Sequence, residues 1–228
     1  MLANAHFFDL RLDSSGRAVV AGFRLNGITN DFLAARFTPS GILDTDFAGV
    51  GLMTADLSAL NDLAFGVALD GSKIVLAGVA NITDVFNIEG DGKIGLVRLN
   101  SDGTLDTSFG TGGTVITQLT GNSDEARDVQ VQNNGKIVIS GVQNTTTSFP
   151  TDPVNGSNLV ARYNSNGTLD SSFGSGGLVT TPFGTSSADV WRGSAIVGNK
   201  LVTAGGAKVT KPDGITQDQE FALARYKL

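Results

Sequence analysis

Three arginine–aspartate pairs, Arg36 with Asp44, Arg98 with Asp106 and Arg162 with Asp170, keep one spacing of eight residues. Each is followed by a phenylalanine (Phe47, Phe109, Phe173) and a glycine (Gly51, Gly113, Gly177), 11 and 15 residues after the arginine. A guanidinium and a carboxylate at a fixed interval can form a charge-assisted hydrogen bond across a chain reversal, with the phenylalanine beneath it and the glycine allowing the return turn. The same residue types could carry acid–base or anion-binding chemistry. A catalytic constellation is rarely copied three times, whereas a clip that builds a repeat must be, so the set reads as structural.

The other chemical candidates occur once. Asn87, Glu89 and Asp91, followed by Gly92, alternate oxygen ligands before a glycine as a calcium loop does, and Asp84 could contribute. The twelfth position is Arg98 where an EF-hand needs a bidentate glutamate. The metal reading is therefore an irregular calcium site at Asp84, Asn87, Glu89 and Asp91; no other cofactor is expected. The segment 100–106 also resembles a calcium loop, but its equivalents 38–44 and 164–170 lack the carboxylate of Asp102, and Asx turns account for all three. His6 is the single histidine, cysteine is absent and no nucleophile elbow precedes a helix, so nucleophilic catalysis has no machinery. Asp9 and Asp128 fall at matching positions of two repeat copies, where the other two have Gly66 and Gly193 nearby. A glycosidase-type carboxylate pair is the catalytic alternative there, and solvated acids are the plain one.

The elements that must position these residues follow from the period. Arg36, Arg98, Arg162 and Arg225 recur at intervals of 62, 64 and 63 residues. A second block runs from a basic residue to a glycine five positions on: Arg17 to Gly22, Lys73 to Gly78, Lys136 to Gly141, Lys200 to Gly205. From that glycine to the next arginine the chain takes 14, 20, 21 and 20 residues, so one connection tolerates insertion. In the third copy, 127–132 alternates polar and apolar residues, Asn133–Gly135 is a turn and Lys136–Gly141 is β-branched and nearly continuously apolar. Residues 158–163 and 177–183 give two more strands. The same reading places strands at 7–12, 17–22, 32–37 and 51–57; at 65–69, 73–78, 94–99 and 114–119; and at 193–197, 200–205 and 221–226. A four-stranded meander repeated four times, the last copy lacking its fourth strand, fits an all-β fold, a β-propeller of roughly 63-residue blades. The single repeat domain spans 1–228, with blades at about 7–57, 62–119, 125–183 and 189–228.

The segments 133–141 (NNGKIVISG) and 160–181 (VARYNSNGTLDSSFGSGGLVTT) resemble the bacterial delta-60 repeat, and the resemblance covers the chain in four copies. It implies propeller-like blades in a larger bacterial protein and no enzymatic activity. Ala48 and Val50 depart from it, standing where the other copies have glycine.

With 228 residues, 40% of them apolar, the chain can bury about 70% of the surface it exposes when unfolded. Thirty glycines, few charges and two methionines describe turn-rich β structure. A net charge of −6 gives no clustered cationic surface for phosphate backbones, so nucleic acid is not an expected partner. No apolar run reaches the roughly 20 residues that cross a bilayer, and the Thr/Asn/Gly-rich texture points to an extracellular or cell-surface location.

Function is expected on one face. The variable segments 79–93, 142–158 and 207–220 all join second to third strands, the same side carries the links from each fourth strand to the next first strand, and there Phe86, Asp91, Phe149, Trp191 and Arg192 each appear once. These five are the expected contacts for a protein or carbohydrate ligand. The reading is a non-catalytic binding or scaffolding module; the rival is a hydrolase or lyase on sugars or lactones with acids at the channel mouth. The incomplete last copy further predicts either a second copy of the chain or the remaining blades of a longer one.

Overall fold

The computed structural model describes residues 4–83, 92–145, 156–182, 190–210 and 217–228. They form fifteen strands and no helix, in four antiparallel sheets that each run in chain order. Sheet 1 is β1 (Ala5–Leu12), β2 (Ala18–Asn26), β3 (Thr29–Phe37) and β4 (Leu52–Ala55). Sheet 2 is β5 (Asn61–Asp70), β6 (Lys73–Ile82), β7 (Lys93–Leu99) and β8 (Thr114–Thr117). Sheet 3 is β9 (Ser123–Val131), β10 (Ile137–Thr145), β11 (Ser157–Tyr163) and β12 (Leu178–Thr181). Sheet 4 has three strands, β13 (Val190–Val197), β14 (Lys200–Thr210) and β15 (Gln217–Lys227).

The sheets pack in series, and a separate core fills each interval. Val19, Ala21, Phe32 and Ala34 of sheet 1 meet Val67, Ile74, Leu76 and Val97 of sheet 2. Ile94 and Leu96 then meet Ile137, Leu159 and Tyr163 of sheet 3, and Val138 and Val160 meet Trp191, Leu201 and Ala222 of sheet 4. Sheets 2 and 3 are thus covered on both faces. That is why β6 and β7 read as almost unbroken apolar runs rather than as alternating strands, with nearly every residue buried. No sheet closes on itself, and each of the four keeps two edge strands.

Every first strand carries a β-bulge. The register shifts between Phe7 and Asp9, between Ala64 and Gly66, and between Trp191 and Gly193, and in sheet 3 Ser140 and Gly141 oppose Asp128 and Ala126. The extra residues are Phe8, Phe65, Arg127 and Arg192. Opposite the bulge sits the glycine of the second conserved block. A Cβ on Gly22, Gly78 or Gly141 would lie 1.7, 1.8 or 2.0 Å from the carbonyl oxygen of His6, Leu63 or Glu125. The bulge pushes that carbonyl onto the neighbouring strand, and only glycine leaves room.

The strand bounds differ from the sequence reading. The bulges break the period-two pattern, so the first strands begin earlier than expected, at Asn61, Ser123 and Val190. In sheet 1, β2 and β3 continue to a tight turn at Gly27 and Ile28, with Asn26 paired to Thr29.

Candidate functional site

At one end of the sheets the Arg–Asp–Phe set closes the β3–β4, β7–β8 and β11–β12 connections. Nε of Arg36, Arg98 and Arg162 donates to Asp44, Asp106 and Asp170 at 2.7, 2.7 and 2.6 Å. Each guanidinium stacks on its phenylalanine, with ring centroids 4.9, 4.6 and 4.7 Å away at Phe47, Phe109 and Phe173. The backbone repeats as faithfully: the Asp106 amide donates to the Arg98 carbonyl, Phe109 to Asp106 and Gly113 to Phe109, and the other two copies match. Gly51, Gly113 and Gly177 hold φ of 84°, 102° and 102°.

The clip also joins the two conserved blocks and adjacent sheets. Lys73 and Lys136, at the start of the second strands, donate to Asp106 and Asp170, and Arg17 reaches Asp44 at 3.5 Å. The free arm of Arg36 donates to the Ser101 carbonyl in sheet 2, and that of Arg98 to Ser165 in sheet 3. Beside them the amides of Ala48 and Gly110 donate to the carbonyls of Asp102 and Asn166, at 2.6 and 2.9 Å. At Asp106, burial alone would raise the carboxyl pKa, but the bonds from Lys73, Ser108 and Arg98 together hold it well below the usual carboxylate range. At Asp170 the Lys136 ammonium is the main cause of a similar depression. Such a carboxylate is a poor proton carrier near neutrality.

On the first strands of sheets 1 and 3, Asp9 and Asp128 are structural linkers. Asp9 accepts the Val67 amide of sheet 2 at 3.0 Å and Arg11 at 2.6 Å. Asp128 accepts the Ser194 amide and hydroxyl of sheet 4 at 2.6 and 2.8 Å. Arg11 bridges the two acids, lying 3.5 Å from Asp128. A Cβ at Gly66 would come within 3.1 Å of the Asp128 backbone, so the glycine of that copy makes way for the acid's own strand, whereas Gly193 has open space around it.

The opposite end carries the variable connections. There Asp62 and Asp124, which sequence reasoning missed, cap the passage from one sheet to the next. Asp62 accepts the amides of Leu57, Ser58 and Asn81; Asp124 those of Leu119, Thr120 and Asn144. Asn81 and Asn144 adopt φ of 68° and 60°, a strained conformation that these bonds secure. Burial raises the pKa of Asp62 despite these three bonds and a fourth from the Ser58 hydroxyl at 2.7 Å. The two acids lie 62 residues apart, and that interval was their only signal.

A row of bulge residues runs along the same end. Phe8 packs on Phe65 at 5.2 Å and on Phe23 at 5.7 Å, His6 stacks on Phe23 at 4.8 Å, and Arg127 lies over Phe65 at 4.6 Å while pairing with Glu125 at 2.5 Å. Phe65 and Arg127 are buried, whereas His6, Phe8 and Phe23 keep part of their ring surface exposed. The arrangement offers flat apolar faces beside a buried cation.

Of the residues expected to bind a partner, Arg192 is exposed at the β13 bulge. Trp191 is a correction: it is fully buried and packs in the core between sheets 3 and 4, so its side chain presents no surface to a ligand. Its rarity in the repeat reflects a large residue filling one particular interval, and rarity is no measure of exposure. Asp84, Phe86, Asn87, Glu89, Asp91 and Phe149 lie outside the described residues, and with them the expected calcium site. Among the described residues, no group of three or more histidine, aspartate or glutamate side chains is placed to hold a metal. A cleft of about 270 Å³ is lined by Arg17, Arg36 and Lys73 at the clip end.

A family model described as "Domain of unknown function (DUF5122) beta-propeller" matches residues 72–109 and 132–173. Each stretch runs from the turn before a second strand to the clip phenylalanine, the part of the repeat in which the bonds above recur. No curated protein matches the chain.

Proposed function

We propose that the four sheets are blades of a delta-60-type propeller module, non-catalytic, that serves a larger bacterial surface or secreted protein as a binding or scaffolding surface. What supports this most is the use made of the acids. Asp9, Asp44, Asp106, Asp128 and Asp170 each accept bonds from an arginine, a lysine or a neighbouring strand's amide. A general acid or base needs a carboxyl that is free to reach substrate, and these five are engaged by the framework itself. The binding surface in this reading is the end bearing the variable connections. There His6, Phe8 and Phe23 offer the flat faces on which sugar rings or peptide side chains pack, and Arg192 adds charge.

The test uses an oligosaccharide array together with chromogenic glycosides and lactones. Oligosaccharide binding that is lost in Phe8→Ser or Phe23→Ser at an unchanged melting temperature is the expected result, with no turnover of any chromogenic substrate. Turnover abolished by Asp9→Asn or Asp128→Asn in a folded protein would overturn the non-catalytic reading.

A further inference from the structure

One row of sheet 3 breaks a pattern that sheets 1 and 2 keep. On β10, Val142 pairs with Glu125 of β9 on one side and with Asn158 of β11 on the other, and directly paired residues share a face of the sheet. Ser140, two residues along β10, lies on that face too. Val138 and Val160, the next residues there toward the clip, pack with Trp191 of sheet 4, so the row looks into the interval between sheets 3 and 4. The matching row in sheet 2 is Leu63, Val79 and Ile94 beside Ala77. In sheet 1 it is His6, Phe23 and Phe32 beside Ala21.

Glu125, Ser140 and Asn158 are fully buried. Glu125 gives one oxygen to Arg127 at 2.5 Å, but its Oε1, the Ser140 hydroxyl and both amide atoms of Asn158 have no hydrogen-bond partner among the described residues. Buried polar atoms without partners lower stability, and apolar residues avoid that loss, as Ala77 and Ile94 do in sheet 2. Four such atoms in one row fit a guest that both donates and accepts: Oε1 and Oδ1 accept, Nδ2 donates, and the serine hydroxyl does either. A single metal ion fits poorly. Its ligand oxygens lie within about 5 Å of one another, whereas Glu125 and Asn158 stand on strands two apart, with about 10 Å between their backbones. Arg127 also neutralises the carboxylate.

Resting on the binding role given above, we propose that this row is a subsite for one sugar ring. A hydroxyl at one edge of the ring donates to Oε1 of Glu125, and hydroxyls at the other edge donate to Oδ1 and accept from Nδ2 of Asn158. The C–H face lies on Val142, and Ser140 takes a further hydroxyl. Glu125, Val142 and Asn158 stand within three residues of the ends of their strands at the variable end, where a terminal residue of an oligosaccharide reaches them. Internal water could satisfy the same atoms, and a melting experiment separates the two.

Trp191 is the single tryptophan and packs beside the row, so its emission reports on this interval. Titrating the intact protein with glucose, galactose, mannose and N-acetylglucosamine is expected to shift that emission with at least one of them. Asn158→Leu abolishes the response, and Asn158→Ala takes its place should that variant fail to fold. Ser140→Ala combined with Asn158→Leu raises the melting temperature of the sugar-free protein by a few degrees, because the orphaned atoms are gone. No response to any of the four sugars, a response that survives both Asn158 variants, or a lower melting temperature in the double variant, the mark of a row completed by water only, would each overturn the proposal. Oligosaccharide binding that depends on Phe8 and Phe23 without a monosaccharide response removes the subsite and leaves the binding reading standing. A monosaccharide response lost in Asn158→Leu, with no binding on the array, supports the subsite and removes the aromatic platform.

Discussion

Asp106 shows what the repeat asks of one residue. Its carboxylate receives Lys73 from the second strand, Arg98 from the third and Ser108 from its own turn, while Arg98 continues to the Ser165 carbonyl of the next sheet. Removing either ion strands a buried charge, so Arg98→Ala or Asp106→Ala is expected to lower stability by about 3–5 kcal/mol in urea denaturation. Arg98→Lys should recover only part of this, since an ammonium cannot span the fork from Asp106 to the next sheet. Ala48 gives a prediction of the opposite sign. It holds φ of 50° where Gly110 and Gly174 hold 54° and 53°. A left-handed alanine costs roughly 1 kcal/mol, so Ala48→Gly should raise the urea midpoint while leaving the amide bond to Asp102 in place.

At the scale of the strand, the bulge and its facing glycine act as one device. Gly78→Ala would drive a Cβ into the Leu63 carbonyl, 1.8 Å away, and forces either the bulge or the β5–β6 register to yield. The expected result is a loss of several kcal/mol, or failure to fold, whereas alanine at Gly71, with open space around it, pays only for its φ of 59°. The clip was legible in the sequence because its offsets are short, invariant and lie within one connection, where an inserted residue would break the bonds that define it. The bulges were not legible, because an extra residue reverses the side-chain alternation from which a strand is recognised. Asp62 and Asp124 escaped for another reason: their partners are backbone amides, which leave no complementary residue type in the sequence. Trp191 misled because a residue unique among copies was taken for a surface one, although each interval between sheets has its own volume to fill.

For the whole molecule, the clip carboxylates set the response to acid. Asp106 and Asp170 have folded pKa values below that of an unfolded aspartate, about 3.9. Their contribution is complete above that value and is lost as pH falls toward the folded ones, since the unfolded chain then binds protons first. Asp62 works the other way: its raised value means the native state takes up its proton first, so its contribution grows as pH falls through that value and is complete below the unfolded one. Urea midpoints should therefore stay nearly level from neutral to mildly acidic pH and fall steeply below about 4, and Asp106→Asn should make that fall shallower.

The free arms of two clip arginines reach forward, from Arg36 to Ser101 and from Arg98 to Ser165. A chain growing from its N-terminus on the ribosome therefore exposes at each moment one newly made sheet whose guanidinium awaits a carbonyl not yet translated. Sheets 1 and 2 are each finished by the sheet that follows, so their maturation trails synthesis by one repeat, and a pause between repeats would leave a single sheet, rather than the whole product, open to proteases and mispairing.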